Sequence, residues 1–135
     1  MPSLGPNLGA TGDAIPGQRL AIIAETLYLI NLLLLPGLAF LALVALYFRT
    51  IANAPPLAAC HLRQTLSASL WAGGILVVAN GFIILLGGYA TGATWVVAIL
   101  YFVCCHSALV LAGALGLARA MAGQPYRYPL VGRNC

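Results

Sequence analysis

Charged side chains are scarce in this sequence. Its 135 residues include six arginines, no lysine and two acids, so that charged residues make up 6% of the chain. Soluble domains carry about 25% charged residues because their surfaces face water. The low charge therefore excludes a soluble globular domain. The six arginines are scattered along the chain, which argues against a nucleic-acid-binding patch.

Acidic residues are limited to Asp13 and Glu25, and this limits the chemistry that the chain could catalyse. Neither a Ser-His-Asp set nor a pair of carboxylates for acid–base catalysis can be assembled from them, since one lies in the N-terminal arm. The four cysteines lack C-x-x-C spacing, and no glycine-rich loop ends in lysine. We therefore expect no enzymatic activity, no metal site and no cofactor held by the chain alone.

Apolar residues are abundant instead. They form 62% of the sequence, and the mean hydropathy is +1.00, which also excludes disorder over the whole length. Apolar segments at 19–48, 57–88 and 93–121 each exceed the roughly 20 residues that a membrane-spanning helix needs. The sequence predicts an all-α integral membrane protein with three transmembrane helices in a small bundle. An irregular arm at 1–18, a loop at 49–56 and a tail at 122–135 complete it.

Proline and glycine interrupt the first apolar segment at Pro36 and Gly37. Proline removes a backbone donor and glycine loosens the turn, so we expect one spanning helix with a kink at Pro36. The competing interpretation is a re-entrant hairpin that turns at Pro36. Its two arms of about 13 to 16 residues would be too short to span.

The distribution of arginine predicts the orientation. Three spans place the two termini on opposite sides, with the first loop and the tail on the same side. That side carries five of the six arginines: Arg49, Arg63, Arg119, Arg127 and Arg133. Basic residues concentrate in cytoplasmic loops. We therefore expect a periplasmic N-terminus, next to Arg19, and a cytoplasmic C-terminus.

Glu25, Asn31 and Asn80 are predicted intramembrane polar contacts. The kinked-span arrangement places Glu25 near the outer end of the first helix, Asn31 about one and a half turns deeper, and Asn80 at a comparable depth in the outer leaflet. There they could hydrogen-bond one another or a partner subunit. Handling of a proton or an ion is the alternative function for an acid inside an apolar span.

The two histidines raise the question of haem ligation. His106 lies near the middle of the third helix, whereas His61 lies near the start of the second, so one chain cannot place both at the same depth. A haem between two copies of His106 is the remaining arrangement. We expect His106 instead to hydrogen-bond across the bundle, through Ser107 or a backbone carbonyl.

His61 is expected at the cytoplasmic interface beside Arg63. Cys60 and Cys135 fall on the same predicted side. Because the cytoplasm is reducing, no disulfide between them is expected.

Small residues at four-residue spacing form helix-packing faces. The third helix carries one such face, and the second helix begins another. Their residues are Ala108, Ala112, Gly116 and Ala120, and Ser69 and Gly73. Small residues let another backbone approach closely. They could close the chain's own bundle, but three helices leave little interior to use both faces, so we expect at least one to dock on a partner.

Two motifs carry a resemblance that covers roughly residues 18–133. Residues 60–66 read CHLRQTL, and residues 120–130 read AMAGQPYRYPL. With these motifs the chain resembles a family of small bacterial membrane proteins of unassigned function, itself similar to the small membrane subunit of the plastid inner-envelope import translocon. The plastid proteins differ in having four spans. The resemblance implies a helical bundle in the bacterial inner membrane and supplies no catalytic residue. It also implies a cytoplasmic interface at His61, Arg63, Tyr126, Arg127 and Tyr128.

Taken together, these features favour a non-catalytic accessory, structural or assembly subunit of a larger membrane complex. Its expected partners are other integral membrane subunits and the lipid bilayer, and any bound lipid or pigment would be held through those partners. The alternative is a transport or protein-translocation component that encloses a polar path as a homo-oligomer. A haem-binding subunit with iron at His106 is the third hypothesis.

Overall fold

The computed structural model describes residues 15–135, and every regular element in that part of the chain is helical. Residues 1–14 of the predicted arm lie outside the described residues. Two of the helices are long and apolar. The helices are α1 (Gln18–Leu33), α2 (Leu38–Thr50), α3 (Pro56–Leu85), α4 (Gly92–Leu100) and α5 (Ser107–Met121). A short 3-10 turn, Ile51–Asn53, follows α2, and a π-helical stretch, Tyr101–His106, joins α4 to α5.

The first apolar segment folds back on itself at Pro36. Ala24 of α1, Leu43 of α2 and Leu62 of α3 form one buried apolar cluster. In a single helix Ala24 and Leu43 would stand about 28 Å apart, so the expectation of one kinked span over 19–48 is wrong. The structure instead has the hairpin, with arms of 16 and 13 residues.

Several backbone N–H groups at the tip of this hairpin have acceptors within the turn. The N–H groups of Leu34 and Leu35 both donate to the carbonyl of Ile30 at 2.9 Å. The N–H of Gly37 donates to Oδ1 of Asn31 at 3.0 Å, and Pro36 has no N–H to satisfy. Gly37 has φ 89°, which a side chain would disfavour. Asn31 is therefore a local turn contact, not the interhelical one that the sequence predicted.

Two longer helical segments run beyond the hairpin. The helix Pro56–Leu85 and the continuous stretch Gly92–Met121 have 30 residues each and are long and apolar enough to cross a membrane. They correspond to the segments predicted at 57–88 and 93–121. The second passes through the π-helical stretch, which widens one turn without ending the helix.

The start of α1 lies beside the end of α5. Nε2 of Gln18 donates to the carbonyl oxygen of Met121 at 2.7 Å. Gly17, just before α1, also lies against Pro55 and Ala58 at the start of α3. The beginning of the described chain and its tail therefore share one end of the bundle, and the prediction that they lie at opposite ends is wrong. The error follows from counting the hairpin as one span.

We call this end of the bundle the arginine end. It is formed by the start of α1, the end of α2, the first turns of α3, the end of α5 and the tail, and it carries all six arginines. At the other end, the turn between α3 and α4 carries none. Large apolar side chains are exposed along the two long helices between the ends, including Val77, Leu85, Trp95 and Val103.

The small-residue face of α5 packs against α1 of the same chain. A Cβ built on Gly113 would lie 2.6 Å from Cε1 of Tyr28, so only glycine permits this approach. Gly116 and Ala120 are also buried, Ala112 is half-buried and Ala108 is exposed. The partner surface predicted on α5 therefore does not include Gly116 or Ala120, because both are occupied within the chain.

Candidate functional site

A carboxylate and an imidazole meet inside the arginine end. Oε1 of Glu25, from α1, lies 2.6 Å from Nδ1 of His61, from the second turn of α3, and both side chains are 0% exposed. The sequence placed these residues on opposite sides of the membrane. The hairpin is the reason that they meet, because it brings α1 alongside the first turns of α3.

The hydrogen-bond partners of the imidazole define which protonation states the pair of Glu25 and His61 can adopt. Nε2 of His61 lies 3.0 Å from the carbonyl oxygen of Gln124. A carbonyl can only accept, so Nε2 carries a hydrogen. One further proton lies between Nδ1 and Oε1, giving either imidazolium with carboxylate or imidazole with carboxylic acid. The pair is neutral overall in both forms, which lowers the penalty for burying it.

One tyrosine binds the carboxylate, and a second tyrosine packs against the first. The hydroxyl of Tyr128, from the tail, donates to Oε2 of Glu25. The Tyr128 ring lies 5.4 Å from that of Tyr28, whose hydroxyl donates to the carbonyl of Leu109 at 3.2 Å. Burial, followed by the nearby Glu25 carboxylate, raises the pKa of Tyr128. The Tyr128 hydroxyl therefore remains protonated and serves as a permanent donor.

Gln64 fastens the tail one turn further along α3. Its Oε1 accepts from the backbone N–H of Arg133 at 3.1 Å and from that of Tyr128 at 3.4 Å, and its Nε2 donates to the carbonyl of Arg133. Ser67 adds a hydrogen bond of 2.8 Å from its hydroxyl to the carbonyl of Val131. Side chains of α3 thus hold the tail in place by hydrogen bonds to its backbone.

A disulfide joins the tail to the first turn of α3. Cys60 and Cys135 are bonded, with 4.8 Å between their Cα atoms. The expectation that these cysteines do not pair is wrong. It rested on the redox state of a predicted compartment, whereas the pairing follows from the path of the tail, which returns over α3 past Gln64 and brings Cys135 back to Cys60.

Gly116 makes room for the carboxylate. A Cβ built on this residue of α5 would lie 2.6 Å from Oε2 of Glu25 and 2.8 Å from its Cδ. The small-residue spacing on α5 therefore belongs to this site. It allows α1 to bring a charged side chain against a bare stretch of helix backbone.

The polar residues predicted to act together are separated. Glu25 contacts His61 and Tyr128, whereas Asn31 caps the hairpin tip. Asn80 donates to the carbonyl of Leu76 at 2.9 Å and accepts from the hydroxyl of Tyr89, near the far end of α3. The structure therefore provides no support for a polar path built on Glu25, Asn31 and Asn80.

The other predicted residues lie outside this site and either contact residues close to them in sequence or are exposed. His106 packs on the Phe102 ring with 5.4 Å between ring centroids, and the hydroxyl of Ser107 donates to the Phe102 carbonyl within the same helix. At the arginine end, Arg63 and Arg127 are exposed. Tyr126 is half-buried and packs edge-on against Tyr128.

Sequence reasoning missed three contributors to the site: Tyr28, Gln64 and Gln124. A signal for two of them existed, because Gln64 and Gln124 lie in the two motifs on which the resemblance depends. In the structure those motifs are in direct contact. Tyr28 gave no signal, since a tyrosine in an apolar run is an ordinary core or interface residue.

The site is closed within the chain. Both oxygens of Glu25 and both ring nitrogens of His61 have partners from the same chain. In the described part of the chain, no group of three or more His, Cys, Asp or Glu residues could hold a metal ion. The geometry fits a structural contact that links α1, α3, α5 and the tail. Comparisons with protein-family models, with curated proteins and with solved structures find no match to the chain.

The packing at Gly116 yields a prediction. Gly116→Ala places a methyl group against the Glu25 carboxylate, and overpacking of this kind destabilises by about 1 to 3 kcal/mol. Gly74→Ala is the matched control, because a Cβ there has nothing within 4 Å. We expect a lower thermal midpoint in mild detergent for Gly116→Ala alone. Equal midpoints for the two variants would refute the close approach.

The buried pair yields a second prediction. Replacing one member, as in Glu25→Leu or His61→Leu, leaves the other without its partner, and losses of about 3 to 5 kcal/mol are typical. The double variant should lose less than the sum of the single losses, by about 1 kcal/mol or more. Unfolding free energies measured in bicelles provide the test. Asn80→Leu, combined with each single variant, is the control that should be additive, and strict additivity for Glu25 and His61 would contradict the contact.

Proposed function

We propose that the chain is an integral membrane protein with two spans and a re-entrant hairpin. Pro56–Leu85 and Gly92–Met121 would cross the bilayer, and their exposed apolar side chains would face lipid or other subunits. The hairpin of α1 and α2 would enter from the arginine end. From Glu25 to Leu33 it would reach about 12 Å, close to the middle of a hydrocarbon core of about 30 Å.

The bonding of the hairpin tip supports this arrangement. Irregular backbone inside a bilayer needs an internal partner for each polar group, because lipid offers none. At the tip Asn31 provides the acceptor for Gly37, and Pro36 needs none. The leucines around the turn are exposed, as expected of side chains that face acyl chains: Leu33, Leu34, Leu35 and Leu38.

The orientation that we propose places the arginine end in the cytoplasm of a bacterial cell. All six arginines lie at this end, which is a stronger bias than the sequence alone suggested. The Cys60–Cys135 disulfide would then lie in a compartment whose thiol systems can reduce it. The remaining contacts of the tail, through Gln64, Ser67 and Tyr128, do not depend on that bond.

A labelling experiment tests the arrangement. Single cysteines at Pro16, Asn53 and Ala90, all exposed positions, are introduced into a chain without its natural cysteines. A membrane-impermeant maleimide should label Pro16→Cys and Asn53→Cys in inverted vesicles, and Ala90→Cys in right-side-out vesicles. Labelling of Pro16→Cys and Asn53→Cys from opposite sides would contradict the hairpin. Labelling of both only in right-side-out vesicles would contradict the orientation.

Within the membrane we propose that the protein acts as a non-catalytic subunit of a larger complex. The observation behind this is an open apolar groove on α3, with a volume of about 390 Å³, that includes Gly74. A Cβ built on Gly74 or on the neighbouring Gly73 would have nothing within 4 Å. The groove is lined by Leu70, Trp71, Gly74, Ile75 and Val78. Small residues beside an apolar groove allow a helix of another subunit to approach closely in lipid.

Filling the groove tests this role. Gly74→Leu should prevent a partner helix from approaching and should reduce the apparent mass of the native complex in mild detergent. It should not lower the thermal midpoint, since the position is open and leucine favours the helix more than glycine does. Val96→Leu, at an exposed position of α4, is the control and should preserve the complex. A particle of unchanged mass for Gly74→Leu, or a wild-type chain that runs as a monomer, would refute a docking role for α3.

A further inference from the structure

The arginine end concentrates positive charge on one surface. Arg49 lies one residue before the end of α2, Arg119 two residues before the end of α5, and Arg127 and Arg133 lie in the tail. Arg63 is seven residues from the start of α3, about 11 Å along the helix. These five and Arg19, near the start of α1, are all exposed.

Within residues 15–135, little negative charge offsets the guanidinium groups of the five arginines other than Arg19. In residues 15–135 the only acidic side chain is Glu25, which is fully buried against His61. The structure thus removes the acid from the surface and leaves the arginines on it. The same end holds Tyr47 and Tyr126, and tyrosine is a residue type that settles at the level of lipid headgroups.

We infer that the arginine end is a binding surface for the anionic headgroups of phospholipids in the surrounding bilayer. The inference extends the proposed function, because it assumes that the two long helices cross the membrane. Each guanidinium presents a planar pair of donors that matches two phosphate oxygens. The basic residues are arginine without exception, which fits phosphate recognition better than a diffuse charge requirement.

The tail contributes a shallow concavity to this surface. A shallow pocket of about 460 Å³ is lined by Pro125, Tyr126, Arg127, Asn134 and Cys135. It combines a cation, an amide and an aromatic ring next to the segment that Gln64 holds in place.

Reconstitution with spin-labelled lipids tests the inference. The wild-type chain is placed in phosphatidylcholine vesicles, and the fraction of immobilised label is compared for phosphatidylglycerol and phosphatidylcholine probes. One basic side chain near an anionic headgroup is worth about a fivefold preference at low salt. We expect the wild-type chain to prefer phosphatidylglycerol by at least about this factor, and 1 M salt to reduce the preference.

Two variants test whether the arginines cause the preference for phosphatidylglycerol. Arg49, Arg63, Arg127 and Arg133 are replaced together by glutamine in one variant and by lysine in the other. Arg119 stays because it donates to Gln124 at 2.6 Å. The glutamine variant, which keeps Arg19 and Arg119, should lose most of the wild-type preference, and the lysine variant should show an intermediate one. Equal immobilisation of the two probes by the wild-type chain, or an unchanged preference in the glutamine variant, would overturn the inference.

The outcome is separable from the proposed topology. Resistance to carbonate extraction shows whether the wild-type chain and both variants are inserted in the vesicles. A chain that is extracted contradicts the membrane-spanning proposal and also removes the basis of this inference. An inserted chain that shows no lipid preference overturns the lipid surface alone.

Discussion

Inside an apolar bundle, a carboxylate and an imidazole in direct contact constrain everything around them. Glu25 and His61 can be buried together because they share one proton and remain neutral as a pair. Each also needs its remaining polar atoms satisfied, and the tail provides both Tyr128 and the carbonyl of Gln124. Gly116 leaves the space that the carboxylate needs. The folding back of α1, the close approach of α5 and the path of the tail are thus parts of one arrangement.

Hydropathy predicts the long elements of this fold well and the short hairpin badly. The all-helical class follows from the apolar runs, and the proline at the start of α3 and the glycine pair after its end mark the bounds of that helix. Over 19–48 the same reasoning fails, because hydropathy does not distinguish one kinked helix from two antiparallel ones. Requiring each arm to span the membrane favoured the single helix. The structure favours the hairpin, in which the buried acid gains a partner.

Some residues of the site could be predicted from the sequence, but the contacts between them could not. Glu25 was singled out because an acid in an apolar run needs a partner, and His61 and Tyr128 because they lie in the two motifs. Their contact was hidden by the error in topology, which put Glu25 and His61 on opposite sides. Gln64 and Gln124 could not be assigned from sequence, since a glutamine that binds the backbone of a distant segment acquires its role only when the tail is placed.

The most direct test of this account is a contact measurement between Glu25 and His61 in lipid bilayers. Solid-state NMR on protein labelled with 15N at histidine and 13C at glutamate can detect magnetisation transfer from His61 Nδ1 to the Glu25 carboxyl carbon. Because Glu25 is the only glutamate, the carbon signal is unambiguous. The account predicts strong transfer, as expected for a nitrogen and an oxygen 2.6 Å apart. Absence of transfer in folded protein would contradict the hairpin and the buried pair together.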